Sequence, residues 1–124
     1  MYDQELALEI LKQVHHSTQT ILKRFKPIES PDDFTNSESG MEKLDAICMQ
    51  LIAIGESLKN LDKVSGNTLL IKYPQVEWKK IKGMRDIITH HYFDINAEAI
   101  YDVCKNHIET LARVIQQIMV DIVK

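Results

Sequence analysis

Glycine and proline are scarce in this sequence, with four and three residues among 124. That argues against an all-β chain built on frequent turns, and against a low-complexity one. Only two cysteines occur, Cys48 and Cys104, and no CxxC pair or HExxH run exists. No ligand pattern supports a zinc site, and no metal or cofactor is expected. Both cysteines fall inside apolar helical patterns, which reads as two buried thiols in a reducing compartment. No apolar run approaches the roughly 18 residues of a membrane span. The first residues, Met1-Tyr2-Asp3-Gln4-Glu5, lack the basic and apolar regions of a signal peptide. A cytoplasmic protein with no membrane partner is the expectation. Nor is charge of one sign in large excess: 15 basic residues against 18 acidic leave a net of −3. This excludes a generically basic nucleic-acid binder but leaves room for a local basic patch.

What the chain does have is apolar residues at helical spacing. Hydrophobic residues make up 44% and charged residues 27%, the balance of a globular chain. A single domain over residues 1–124 is expected, long enough to bury about two-thirds of its surface. From Asp3 to Lys26, Ala7, Leu11, Val14, Ile21 and Phe25 form one stripe, with Thr18 filling a gap and Ile10 and Leu22 widening it. Pro27 ends that helix. The connector from Ile28 to Gly40 has room for one turn, with Ser30 as cap and Pro31 in the first helical position. A second helix is predicted from Ser37 to Asp62, on Leu44, Ile47, Cys48, Leu51, Ile54, Leu58 and Leu61. Gly55 in its middle costs about 1 kcal/mol relative to Ala and points to close approach of another helix. A third helix is predicted from Gln75 to Phe93, around Trp78, Ile81, Met84 and Ile88. Asp94 to Asn96 supplies a stop and a new cap. The last helix is predicted from Ala97 to Val123 as one continuous run. No segment alternates with the period of a strand. An all-α antiparallel bundle with four main helices follows.

The chemistry concentrates in the third helix. Lys72, Lys79, Lys80, Lys82 and Arg85 are opposed there only by Glu77, a local excess of four positive charges. Arg85-Asp86-Ile87-Ile88-Thr89-His90-His91-Tyr92 follows directly. Asp86 and His90 are four apart, so the carboxylate could hold the imidazole's tautomer. Arg85 and Tyr92 are seven apart and share a face. Arg85 and His90 are five apart and diverge by about 140° on an ideal helix. Either the helix distorts near His90, or the working site combines residues from two copies of the chain. Arginine suits gripping a phosphate, and histidine suits moving a proton near neutral pH.

Arg85, four residues, His90, one residue, Tyr92 resembles the signature of the HepT-like HEPN-domain toxins. Gly55-Glu56-Ser57-Leu58 resembles the family's GEA-type segment. The run from Tyr73-Pro74 through Trp78 to Ile81-Lys82-Gly83-Met84-Arg85 is similar to its path into the motif, and Tyr92-Phe93-Asp94-Ile95 to the continuation. The resemblance covers nearly the whole chain. It implies a helix bundle that dimerises through the motif face, and a metal-independent endoribonuclease in a cleft between the two copies. It implies catalysis by Arg85 and His90, with the scissile phosphate on Arg85 and acid–base work on the RNA 2′-hydroxyl by His90. The lysines at 72, 79, 80 and 82 would form an RNA-binding patch. The implied partner is a minimal nucleotidyltransferase antitoxin that neutralises the toxin by adding AMP to Tyr92. His91 stands where the family more often has a small or polar residue, and Asp86 where Asn is frequent. Both are candidates for auxiliary roles. The competing readings are a non-catalytic HEPN module that binds a nucleotide or a nucleotidyltransferase partner, and a plain helical assembly domain.

Overall fold

Asp3 opens the first helix by accepting a hydrogen bond from the Leu6 amide at 3.0 Å, satisfying a donor that the helix start leaves over. That helix, α1, runs Gln4–Phe25 in the computed structural model, which describes residues 2–91 and 93–124. Thr18, polar and fully buried in its stripe, is satisfied by donating to the His15 carbonyl at 2.6 Å. The connector holds a single turn, α2 (Asp32–Thr35). Pro31 occupies the cap position in helical conformation, and no side chain caps it. Ser30 therefore does not cap; instead Asp33 reaches back to the Glu29 amide at 2.8 Å. Phe34 in α2 is fully buried and packs with Phe25.

Ser37 caps α3 (Glu38–Ser65) by accepting from the Gly40 amide at 2.9 Å. The helix runs three residues past the predicted Asp62. It ends at Gly66, whose left-handed φ of 62° is open to glycine without a Cβ penalty. A 3-10 turn, Leu70–Lys72, leads toward α4 (Trp78–His90). This helix is shorter at both ends than predicted. At its start the Trp78 indole donates to the Tyr73 carbonyl at 2.8 Å, which ties the Tyr73-Pro74 segment into a turn. At its end the His91 amide bonds the Ile88 carbonyl at 3.3 Å, a tightened last turn.

Asn96 caps α5 (Ala97–Asn106) by accepting from the Glu98 and Ala99 amides. The predicted continuous last helix is interrupted at His107, and α6 (Ile108–Ile122) follows. Ile100 and Cys104 before the break and Ile108 after it all stay buried, and His107 at the break faces Glu77 and Asp102.

Pairs of residues set the directions. Asp62 late in α3 meets Lys82 early in α4, and Glu56 meets Arg85, so these helices run antiparallel. Phe25 at the end of α1 packs edge-on against Tyr101 in α5, with ring centres 5.2 Å apart. Tyr73 ahead of α4 donates to Asp121 near the end of α6 at 2.7 Å. The four main helices are thus α1, α3, α4 and the interrupted α5–α6 run. α1 lies between α3 and α6, and α4 covers the other flank of α3. Leu11, Ile54, Leu58, Ile81, Ile108 and Ile115 fill the shared core. Cys48 and Cys104 are buried free thiols within it, as predicted. Among the described residues, no helix is long and apolar enough to cross a membrane.

Candidate active site

Arg85 lies on the flank of α4 that faces α3, and Gly55 makes that approach possible. A Cβ on Gly55 would sit 3.0 Å from the Arg85 Cβ and 3.2 Å from the Lys82 carbonyl oxygen. The helix expected to approach Gly55 is therefore α4. One residue on, the Glu56 carboxylate lies 2.9 Å from Arg85 Nε as an ion pair. Asp86 accepts from Arg85 Nη1 at 3.2 Å and faces Lys59 Nζ at 3.9 Å. Glu56, Arg85, Asp86 and Lys59 thus form a row of alternating charge across the α3–α4 seam. Its members stay open to solvent, with 37% of the Arg85 side chain and 50% of Glu56 exposed.

This corrects the pairing expected from spacing. Asp86 engages Arg85 and Lys59, and not His90. Two permanent cations lie within its reach, and they hold a carboxylate more strongly than an imidazole one turn away. His90 is exposed at the last position of α4. The helix is continuous to His90, and the tightened Ile88–His91 turn that encloses it, nearer 120° per residue, does not swing His90 toward Arg85. Helix distortion, one of the two ways to bring them together, is removed. His91 caps the helix end with its Nδ1 3.8 Å from Asp94 Oδ1, both side chains well exposed. A pocket of about 390 Å³ lies beside His91, walled by Ile87, Ile95 and Ile100 and rimmed by Asp94 and Asn96. Tyr92 lies outside the described residues.

The lysines do not form one free basic surface. Lys80 pairs with Asp102 at 3.1 Å, and Lys82 with Asp62 at 2.6 Å. Hydrogen bonds from Asn106 and Lys80 hold the Asp102 carboxyl below its usual range. Among the described residues, exposed Lys79 on α4 and Lys72 in the 3-10 turn show no ion pair. The excess of positive charge counted along the chain is offset by acids that α3 and α5 bring alongside. His107 joins the same cluster. Its Nδ1 is 3.7 Å from Glu77 and its Nε2 3.7 Å from Asp102.

Sequence reasoning assigned no role to Glu56, Lys59 or His107. A signal for the first was present: a glycine that marks helix approach places its polar neighbour at the seam. His107 had no such signal.

The Ribonuclease HepT-like family matches residues 14–118. The chain belongs to that family. A Methanocaldococcus jannaschii protein named "Putative RNase" is 37% identical over 117 residues, covering 90% of this chain and 91% of its own length. A second, from Caldanaerobacter subterraneus subsp. tengcongensis and named likewise, is 35% identical over 74 residues, 60% of this chain and 62% of its own. A third, again from M. jannaschii and named likewise, is 28% identical over 104 residues, 77% and 83% of the two chains. No solved structure gives a significant match. The partly exposed Arg85 guanidinium has the chemistry to bind phosphate oxygens, and the exposed His90 imidazole the chemistry to transfer a proton.

Proposed function

We propose that this HepT-like protein is a metal-independent endoribonuclease, the toxin of a toxin–antitoxin pair, working as a symmetric dimer. The carrying observation is the unbroken course of α4 to His90, which keeps Arg85 and His90 on different faces. One chain then lacks a way to aim both at one phosphate. A two-fold axis brings the same patch of both copies together. The cleft between them would hold two Arg85 and two His90 side chains around one RNA backbone. Arg85 stabilises the phosphate as negative charge builds on it. One His90 takes the 2′-hydroxyl proton, and the 2′-oxygen attacks phosphorus to expel the 5′-oxygen of the next nucleotide, which takes its proton from the other His90. The products are a 2′,3′-cyclic phosphate and a 5′-hydroxyl end.

Metal independence rests on the acids near the motif. Two carboxylates lie beside Arg85, Asp86 from α4 and Glu56 from α3, and both are paired with cations, Asp86 with Arg85 and Lys59 and Glu56 with Arg85. Lys79 and Lys72 would add sequence-independent affinity that weakens as salt rises. The partner is a nucleotidyltransferase antitoxin, and Tyr92 is its target. AMP on the Tyr92 hydroxyl would bring a phosphate to the motif, where Arg85 would bind it in place of RNA. Tyr92→Phe should still cleave RNA but escape both AMP transfer and neutralisation. Mass spectrometry after incubation with the antitoxin and ATP decides this, and AMP on another residue with Tyr92 untouched removes the claim. Nucleotide binding without RNA cleavage would favour the non-catalytic module.

A further inference from the structure

Ser65 is the last residue of α3 and is buried. Among the described residues, its hydroxyl is the one buried side-chain polar atom without a hydrogen-bond partner. Buried polar groups are nearly always paired, so an unpaired one marks a place where something else can bind. Ser65 lines a pocket of about 490 Å³, together with Lys63, Thr68, Lys72 and, from the segment before α1, Tyr2. Among the described residues its wall holds two lysines and no Asp or Glu. The clefts beside His91, His15, Gly40 and His107 each have an acid in the wall. We propose that the pocket at the end of α3 binds a phosphate group, held by the Lys63 and Lys72 ammonium groups and the Ser65 hydroxyl.

The chemistry of the wall fits that ligand. An ammonium group has three donors and no acceptor, and a phosphate brings negative charge and acceptor oxygens. Lys80 and Lys82 give their charge to Asp102 and Asp62, whereas the lysines of this pocket line it without a carboxylate. The end of a helix normally disfavours anions through its unmet carbonyls. Here those of Asp62, Lys63 and Ser65 already accept from the amides of Asn67, Gly66 and Thr68. The Ser65 carbonyl also accepts from the Thr68 hydroxyl at 2.6 Å. What remains at this end is the positive charge of the lysines and the unused Ser65 donor. The place suits a strand as well. Lys63 is seven residues beyond Glu56 on the same face of α3, roughly 10 Å along the axis from the charge row at Arg85. An RNA with its scissile phosphate on Arg85 would then lay a second phosphate at the end of α3, a consequence that rests on the ribonuclease reading. A free nucleotide carries the same group.

The test titrates the full chain with a short RNA bearing 2′-O-methyl groups, which offers phosphates but no attacking hydroxyl, and separately with AMP. The backbone amides of Gly66 and Thr68 report on the pocket by NMR. Shifts with RNA alone assign the phosphate to a strand, and equal shifts with AMP assign it to a free nucleotide. Either result upholds the site, and no shift with either ligand overturns it. Lys63→Gln/Lys72→Gln should weaken binding on the order of 10-fold. For RNA it should also flatten the slope of log affinity against log salt by about 0.7, the share of one phosphate on a single strand. Lys12→Gln/Lys23→Gln removes two exposed charges from α1 and should change both far less. Ser65→Ala keeps the net charge and should weaken binding roughly 2–10-fold. It should not lower the urea midpoint, since no hydrogen bond within the chain is lost. Equal losses in the two lysine pairs, or full affinity in Ser65→Ala, overturn the inference. If the chain cleaves no unmodified RNA while the Gly66 and Thr68 shifts persist, the ribonuclease reading fails and the phosphate site stands.

Discussion

Cys48 and Cys104 lie inside the bundle, and burial pushes both thiols up to about 12. The native state therefore holds their protons more tightly than the unfolded chain does. Their contribution to stability is complete below about pH 9 and is lost as pH rises toward 12. Tyr73 acts in the same direction. Burial and its hydrogen bond to Asp121 raise it to about 12, so it too favours folding less as the unfolded phenol ionises. The urea midpoint should stay level from pH 7 to 8.5 and decline above 9. The Cys48→Ala/Cys104→Ala variant should be less stable at pH 7 but decline less steeply over that window. An equal decline in both proteins would show that the thiols are not the source. At pH 8 the native thiols should resist alkylation until urea unfolds the chain.

The α3–α4 seam is the element that makes the site, and Gly55 is its narrowest point. In Gly55→Ala the new methyl meets the Arg85 Cβ and a backbone carbonyl, of which the carbonyl cannot swing away. Mid-helix alanine gains about 1 kcal/mol of propensity. Forcing the seam apart costs typically 1–3 kcal/mol. The net expectation is a lower urea midpoint. A gain in stability would mean that the seam yields freely. The same seam shows how far sequence could be read. The stripes of α1 and α3 are long, regular and capped by Asp3 and Ser37, so periodicity located them to within a few residues. Gly55 announced a close neighbour. The identity of that neighbour, and hence the roles of Glu56 and Lys59, needed the packing of a helix about thirty residues away. The pairing of Lys80 and Lys82 was hidden for the same reason: Asp102 and Asp62 are remote in sequence and adjacent in space. The break at His107 falls within an unbroken apolar pattern with neither glycine nor proline to mark it.

At the scale of the whole molecule, the account needs two copies. The chain should sediment as a dimer at the concentrations where it cleaves RNA, and a fully active monomer would remove the shared cleft. Arg85→Ala and His90→Ala should each be inactive alone. If the cleft takes Arg85 from one copy and His90 from the other, mixing the two variants should regain part of the activity. No regain on mixing would place both groups of each site on one chain. The measurement that tests the central claim most directly is cleavage of RNA by the purified chain in excess EDTA, with Arg85→Ala run alongside. The unsubstituted chain should cleave, leaving ends that bear 2′,3′-cyclic phosphate or its hydrolysis product, and Arg85→Ala should not. Cleavage that vanishes in EDTA and returns with magnesium, or that survives Arg85→Ala, would contradict it.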